Sequence, residues 1–419
     1  MAILALAWKS LRNRGFTAAL TVASIALSVA LLLGVERIRH EAKASFTSTV
    51  SGTDLIVGAR SGPVQLLLYA VFRIGNATNN ISWASWEEIS AHPRVAWAIP
   101  LSLGDSHRGF RVLGTSRAYF EHYRFARDRG LGFEQGGAFD DLYDAVLGAE
   151  VARKLGYGLG QSIVIAHGTG DVSFARHEDK PFRVVGILAP TGTPVDRTVH
   201  VSLEAIEAIH IDWQGGAPLP GQRLSAEQAR AMDLTPRAIT AGLLGLKSRV
   251  ATFQVQRFVN DYPKEPLLAI LPAVALTELW GLIGVAEGAL LVVSACVVVV
   301  GLFGMLTALL TSLNERRREM AILRSVGARP AHVFGLILGE SLVLTLVGVL
   351  AGLALLYGLL AVAQPLLGAR FGLYLPIGFP GTTELVLLGA VILAGLAVGL
   401  LPAYRAYRLS LSDGLSIRV

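Results

Sequence analysis

Four long apolar runs divide this chain, and between the first two the pattern changes to short alternating and buried stretches. Phe16 to Val35 is uncharged throughout, and about 20 helical residues reach about 30 Å, enough to cross the hydrocarbon core of a bilayer. Apolar runs with at most one acidic residue each occupy 288–313, 332–361 and 384–404. From about Ser45 to Pro272 the periodicity is that of a globular α/β domain. Strands are expected at Asp54 to Val57, Arg111 to Gly114, Ala145 to Gly148, Ser162 to Ala166, Phe182 to Leu188 and Val199 to Ser202, and helices near Ser82 to Ala91, Ala149 to Leu155 and Leu203 to Ile211. The expected fold is that of a mixed membrane protein: four transmembrane α-helices plus a large α/β extracytoplasmic domain inserted between helices 1 and 2.

The flanks of the runs refine this picture. Residues 1–15 read as a cytoplasmic amphipathic helix, with Ile3, Leu4, Leu6, Trp8 and Leu11 against Lys9, Arg12 and Arg14. A cleaved signal peptide is the competing reading, but the apolar run is longer than a typical signal core and the small-x-small site Ala42-Lys43-Ala44 lies beyond a charged stretch. Residues 36–278 are read as the extracytoplasmic domain with helical stalks, the second stalk at Leu276 to Glu287. A cytoplasmic helix follows at 314–330, a short outer loop at 362–383 and a cytoplasmic tail at 405–419.

Composition supports a protein part embedded and part globular, with 53% hydrophobic residues, a mean hydropathy of +0.53 and 16% charged residues in 419. The net charge of +6 belongs to topology. Glu36 to Glu278 holds 25 basic and 25 acidic residues, leaving 12 basic and 6 acidic residues elsewhere. Of those 12, only Arg370 falls on the outer side, which is the positive-inside pattern and not a nucleic-acid patch. The single cysteine, Cys296, lies in an apolar run and excludes an intramolecular disulfide.

The most informative stretch is Asn314 to Ala328. Arg316, Arg317, Arg318, Arg324 and Arg329 crowd between two nearly uncharged runs. Met320, Leu323, Val326 and Gly327 recur at helical spacing, predicting a short amphipathic helix with Gly327 as its C-cap and Pro330 opening the next span. Four glycine pairs at four-residue spacing, Gly284/Gly288, Gly335/Gly339, Gly348/Gly352 and Gly395/Gly399, are candidates for close helix packing in lipid. Glu340 is the ionisable residue deepest in a span, read as a structural contact before a proton relay.

Glu315-Arg-Arg-Arg-Glu319-Met-Ala-Ile-Leu-Arg324-Ser-Val-Gly-Ala328, followed by the apolar run with Glu340, resembles the C-terminal permease region of MacB/FtsX/LolC-type ABC transporters. Phe110 to Thr115, Val146 to Gly156 with Gly160, and Phe182 to Leu188 with Thr191 to Asp196 resemble the periplasmic domain of that family. The resemblance spans most of the chain and is weakest at Ser61 to Asn80 and Asp212 to Leu234, where loops or insertions are expected. It implies that Glu315, Arg316, Arg317, Arg318, Glu319, Met320, Leu323, Arg324, Gly327 and Ala328 form a coupling helix that docks on an ABC ATPase. It further implies a non-catalytic permease of the bacterial inner membrane, paired with a second copy of itself and with a dimer of ATPase subunits that carry the ATP and Mg2+. A periplasmic adaptor or substrate-binding protein would complete the assembly. Export of a periplasmic substrate is taken first, on the size of the periplasmic domain; lipoprotein extraction and activation of cell-wall hydrolases are the alternatives.

Enzyme chemistry finds little support. Gly242-Leu-Leu-Gly245-Leu-Lys247-Ser248 lacks the spacing that wraps a phosphate-binding loop, so ATP is expected on another polypeptide. His107, His122, His167, His177, His200 and His210 show no pairing at metal-ligand spacing, so no metal or other cofactor is expected on this chain. No G-x-S-x-G elbow supports a hydrolase. A membrane scaffold or signalling protein would share the topology but would have no need of a docking helix.

Overall fold

The computed structural model describes residues 15–126, 128–168, 177, 179–214, 217–218, 224–315, 317–371 and 377–408, with backbone alone at 42, 44–48, 214, 217–218, 314–315, 317–318 and 365–371. Two compact units are present, a sheet-rich one built mainly from Ala42–Ile283 and a helical one from the segments before and after it. The expected N-terminal amphipathic stretch, Arg316 and the tail beyond Arg408 lie outside the described residues.

Among the described residues the main sheet has 11 strands. They are β1 (Leu55–Ala59), β2 (Val95–His107), β3 (Phe110–Thr115), β4 (Phe133–Gly136), β5 (Asp144–Leu147), β6 (Ser162–Ile163), β7 (Ala166–His167), β8 (Phe182–Leu188), β9 (Thr198–Ser202), β10 (Ala241–Leu246) and β11 (Leu267–Ile270). Their order is β11-β1-β10-β2-β3-β9-β5-β8-β4, with β7 on β2 and β6 on β8. The β3/β9 and β5/β8 pairs are parallel within an otherwise antiparallel sheet. The helices that cover it include α2 (Pro63–Ala70), α3 (Trp83–Ser90), α4 (Ala149–Leu155), α5 (Leu203–His210) and α6 (Thr252–Asn260).

Both faces of the sheet are covered, so its strands read as apolar runs more than as alternations. Ile56 of β1 packs with Leu66 and Leu67 of α2, whereas Leu55 and Val57 on the other face pack with Trp86 and Ile89 of α3 and Val255 and Val259 of α6. A further core joins Val199 and Val201 of β9 and Phe182 and Val184 of β8 to Ala205, Ala208 and Ile209 of α5. The Ser202 hydroxyl accepts from the Ala205 N–H at 3.1 Å and starts α5 directly after β9.

Several elements depart from the sequence expectation. β2 was not expected, because Pro100, Ser102 and Gly104 interrupt its apolar pattern; its pairing with β10 on one side and β3 on the other holds it extended. The stretch Ser61 to Asn80, expected as a loop or insertion, contains α2, opened by Pro63 at its first turn. The expected strand Ser162 to Ala166 is two short strands on different neighbours. The glycines of the loop-like stretch at 242–248 lie in β10: a Cβ at Gly242 would stand 2.0 Å from the Trp86 ring, and one at Gly245 would stand 2.0 Å from the Trp97 ring. These glycines make room for indoles in a strand.

The helical unit uses α1 (Gly15–Ser48), α7 (Pro272–Glu315), α8 (Arg317–Ser325), α9 (Pro330–Phe371) and α10 (Thr382–Arg408). Candidate spans are Gly15–Glu41, Pro272–Leu313, Pro330–Gln364 and Thr382–Arg408. In chain order the described strands all lie between α1 and α7. The expected second stalk and second span are one continuous helix, α7, of 44 residues. Likewise α9 runs past the expected boundary at 361 to Phe371, and α10 continues through Pro402 to Arg408.

Candidate functional site

The predicted docking stretch is a helix folded back between α7 and α9. α8 ends in a Schellman arrangement: the Ala328 N–H donates to the Leu323 carbonyl at 3.0 Å and the Gly327 N–H to the Arg324 carbonyl at 3.1 Å. Gly327 sits at φ +104°, a left-handed conformation that favours glycine. The next helix starts at Pro330, where the Arg329 N–H donates to Nδ1 of His332 at 3.2 Å. Each turn residue thus has a defined use.

The apolar residues of α8 divide between two sides. Met320 and Ala321 are buried, and Met320 packs with Leu313 of α7, Val333 and Ile337 of α9 and Ala403 and Ala406 of α10. Ile322, Leu323 and Val326 are 53%, 42% and 83% exposed. The single apolar face expected from Met320, Leu323 and Val326 is therefore two surfaces, one anchoring the helix and one turned outward. Glu319 is exposed beside them and Arg324 is half-buried, while the side chains of Glu315, Arg317 and Arg318 lie outside the described residues.

The glycine pairs have different surroundings. A Cβ at Gly348 would come 2.6 Å from Ile25, and one at Gly352 would come 2.8 Å from the Ala26 carbonyl oxygen, so this pair seats α9 against α1. At Gly395 and Gly399 the added atom would meet Thr345 Oγ1 and Ser341 Oγ, each at 2.3 Å, seating α10 against α9. The Ser341 hydroxyl also donates to the Gly395 carbonyl at 2.9 Å. By contrast, Cβ positions at Gly284, Gly288 and Gly339 meet nothing within 4 Å, and Gly335 is half-buried. Gly301, outside the predicted pairs, faces Ser28, whose hydroxyl donates to the Val297 carbonyl at 3.1 Å.

Glu340 is buried at 4% exposure. A second buried acid, Glu384, was not anticipated as a partner. Arg37 of α1 donates through Nε to Glu384 Oε1 at 3.0 Å and through Nη2 to Oε2 at 3.3 Å, and lies over the Tyr357 ring of α9 at 5.2 Å. This fork joins three helices with both side chains less than 10% exposed. The sequence signal was opposite charges at the end of the first apolar run and the start of the fourth.

The sheet-rich unit separates the histidines by role. His107 bonds to the Val164 carbonyl and the Tyr157 hydroxyl, His122 stacks on Trp97, and His200 is buried beside Tyr119. Burial, with the Arg73 charge nearby, pushes His200 down to about 3. His167 and His210, in contrast, converge on Asp105, with His177 alongside. Burial works against the Asp105 charge, but hydrogen bonds from the two imidazoles outweigh it and hold the carboxyl at about 2. Burial also pulls His210 down, and the bond to Asp105 reverses this and leaves it above the ordinary range. Asp105, His167 and His210 are 43 to 105 positions apart on three different elements, so chain spacing could not reveal them; the β2–β7 pairing and the end of α5 bring them together.

Residues 18–235 match the MacB-like periplasmic core domain and residues 291–411 the FtsX-like permease C-terminal region. The chain is 26% identical over 430 residues to the macrolide export ATP-binding/permease protein MacB of Azoarcus sp. strain BH72, with 96% of this chain and 57% of that protein covered. It is 27% identical over 279 residues to the pyoverdine export ATP-binding/permease protein PvdT of Pseudomonas aeruginosa, covering 63% and 36%. The chain thus spans less than two thirds of the length of these curated relatives. The periplasmic region of MacB from Actinobacillus actinomycetemcomitans aligns with a TM-score of 0.35 at 11% identity, covering 55% of this chain and 94% of that one.

Proposed function

The chain belongs to the ABC transporter permease family that joins a MacB-like periplasmic core domain to an FtsX-like membrane region, and on that premise we propose that it couples ATP hydrolysis by a partner ATPase to movement of its extracytoplasmic domain. Four helices able to span a membrane and a sheet-rich domain of periplasmic type make it a membrane protein with an extracytoplasmic domain. The permease region of this family is generally non-catalytic and implies an ABC ATPase as partner. We place the protein in the bacterial inner membrane, as a dimer of this chain with two ATPase subunits, working in export of a periplasmic substrate with an adaptor. The relatives are named for chemically different cargoes, a macrolide and pyoverdine. What this chain shares with them is the permease region over which it aligns.

The observation that supports this reading most directly is the division of α8 into an anchored side and an exposed one. Met320 holds the helix against the ends of three apolar helices and Ala321 is buried next to it, while Ile322, Leu323 and Val326 remain exposed next to charged residues. An ATPase groove with an apolar centre and a charged rim would cover them. A push on α8 would reach α7, α9 and α10 through Met320.

The test is co-purification of the detergent-solubilised protein with its ABC ATPase, comparing wild type with Glu315→Ala/Glu319→Ala/Leu323→Asp. Loss of ATPase recovery, at roughly tenfold or more in affinity for an interface core position, is expected while the permease elutes unchanged. Equal recovery by both proteins, or none with wild type, defeats the assignment.

A further inference from the structure

Asp105, His167 and His210 bring one oxygen and two nitrogens to a common point on the sheet-rich unit. Asp105 Oδ1 lies 3.2 Å from His167 Nδ1 and 3.4 Å from His210 Nε2, and the two imidazole nitrogens are 3.2 Å apart. Donor atoms around a four-coordinate ion at about 2.0–2.1 Å stand about 3.3–3.4 Å from one another. The triangle is therefore one face of a tetrahedron of zinc-like dimensions. Larger calcium, with bonds of about 2.3–2.6 Å and a preference for oxygen, would spread the donors further.

The surroundings prepare those atoms for a cation. His210 donates its Nδ1–H to the Ile206 carbonyl at 2.8 Å, which turns Nε2 toward Asp105, where loss of the Nε2 proton frees its lone pair for a cation. An N–H held by a backbone carbonyl is the usual outer support of a metal-bound imidazole. Asp105 is 3% exposed, and its position follows the irregularity in the β2–β3 register between Leu103 and Ser106. His167 is placed opposite Asp105 by strand pairing, and its side chain is 42% exposed, leaving a way in from solvent. A separate observation concerns His177, which is 0% exposed with both ring nitrogens lacking a hydrogen-bond partner among the described residues. Its ring lies 5.1 Å from that of His210 and 4.6 Å from that of Trp213. Lys180, the cation acting on His177, is itself paired with Asp179 and Asp212 at 3.2 and 3.0 Å.

We propose that Asp105, His167 and His210 form a binding site for a divalent transition cation of the zinc class, with the fourth position open to water or to His177. Two imidazoles and one carboxylate are a donor set that suits zinc and its late first-row neighbours over magnesium or calcium. The site stands on this geometry and is independent of ATPase coupling.

The experiment uses the full-length chain in detergent, freed of any polyhistidine tag and stripped with a chelator, then titrated with Zn2+ alone by calorimetry and with Co2+ as an optical probe. One ion per chain and the absorption of a four-coordinate Co2+ centre are expected. His167→Ala and Asp105→Asn should each weaken binding by roughly 100-fold or more, beyond the loss seen for outer-sphere changes. His122→Ala, at a half-buried histidine that stacks on Trp97 away from the cluster, should bind as wild type. Absence of saturable binding, or equal binding by wild type and His167→Ala, would leave the cluster as a hydrogen-bonded His–Asp–His group and overturn the proposal. Should Asp105→Asn fail to fold, the half-exposed His167→Ala carries the test.

Discussion

At the scale of single residues, the Arg37–Glu384 pair shows how burial raises the stakes of a charge. Both side chains are under 10% exposed, and Arg37 also donates to the Gly378 carbonyl at 3.0 Å. Removing one member leaves the other charged and without its partner, which costs about 3–5 kcal/mol, whereas replacing both with apolar groups of similar volume costs much less. Arg37→Ala should therefore lower the thermal midpoint of the solubilised protein markedly, and Arg37→Met/Glu384→Leu should recover much of the loss. A double variant that loses the full sum of the two single substitutions would show that the pair is not coupled. The sequence shows opposite charges at the ends of two apolar runs but not that they pair, because the two are 347 positions apart. The histidines carry the same lesson. His200 and His210 are the same residue type in the same unit, yet burial pushes one down while a neighbouring carboxylate lifts the other.

Among the elements, helix length and helix contact were legible to different degrees. Apolar runs located α1, α7, α9 and α10, and Gly327 and Pro330 located the turn after α8, because each depends on residues close in sequence. Small-residue spacing identified positions able to pack, but not which of them do. Gly352 faces the Ala26 carbonyl oxygen at 2.8 Å from where a Cβ would stand, while Gly339 faces open space. Gly352→Leu should then cost about 1–3 kcal/mol through forced separation of α9 from α1. Gly339→Leu should leave the thermal midpoint of the solubilised protein unchanged or slightly higher. Equal sensitivity at the two sites would place a further helix contact at Gly339. The missed strand β2 belongs at this scale too. Its alternation is broken by Pro100 and Gly104, and neighbours on both sides supply the pairing that its own pattern does not announce.

For the whole molecule, the distribution of charge predicts which parts face the cytoplasm. In a Cys296→Ser background, a cysteine at the exposed position Ala231 should react with a membrane-impermeant thiol reagent added outside intact spheroplasts. One at the exposed position Ser325 should react only after the membrane is opened. The reverse pattern would invert the topology. The sequence by itself determined the membrane class, the four apolar helices, the globular stretch between the first two and the short basic helix after α7. Each of these is written in local periodicity, run length or charge, and needs no distant partner to be read. Only the tertiary structure decided which apolar residues of α8 are anchored and which remain exposed, which glycines touch a neighbour, and that Asp105, His167 and His210 meet. Those outcomes depend on strand register and helix contact between segments far apart in the chain, where one shift in register redirects every side chain on the strand.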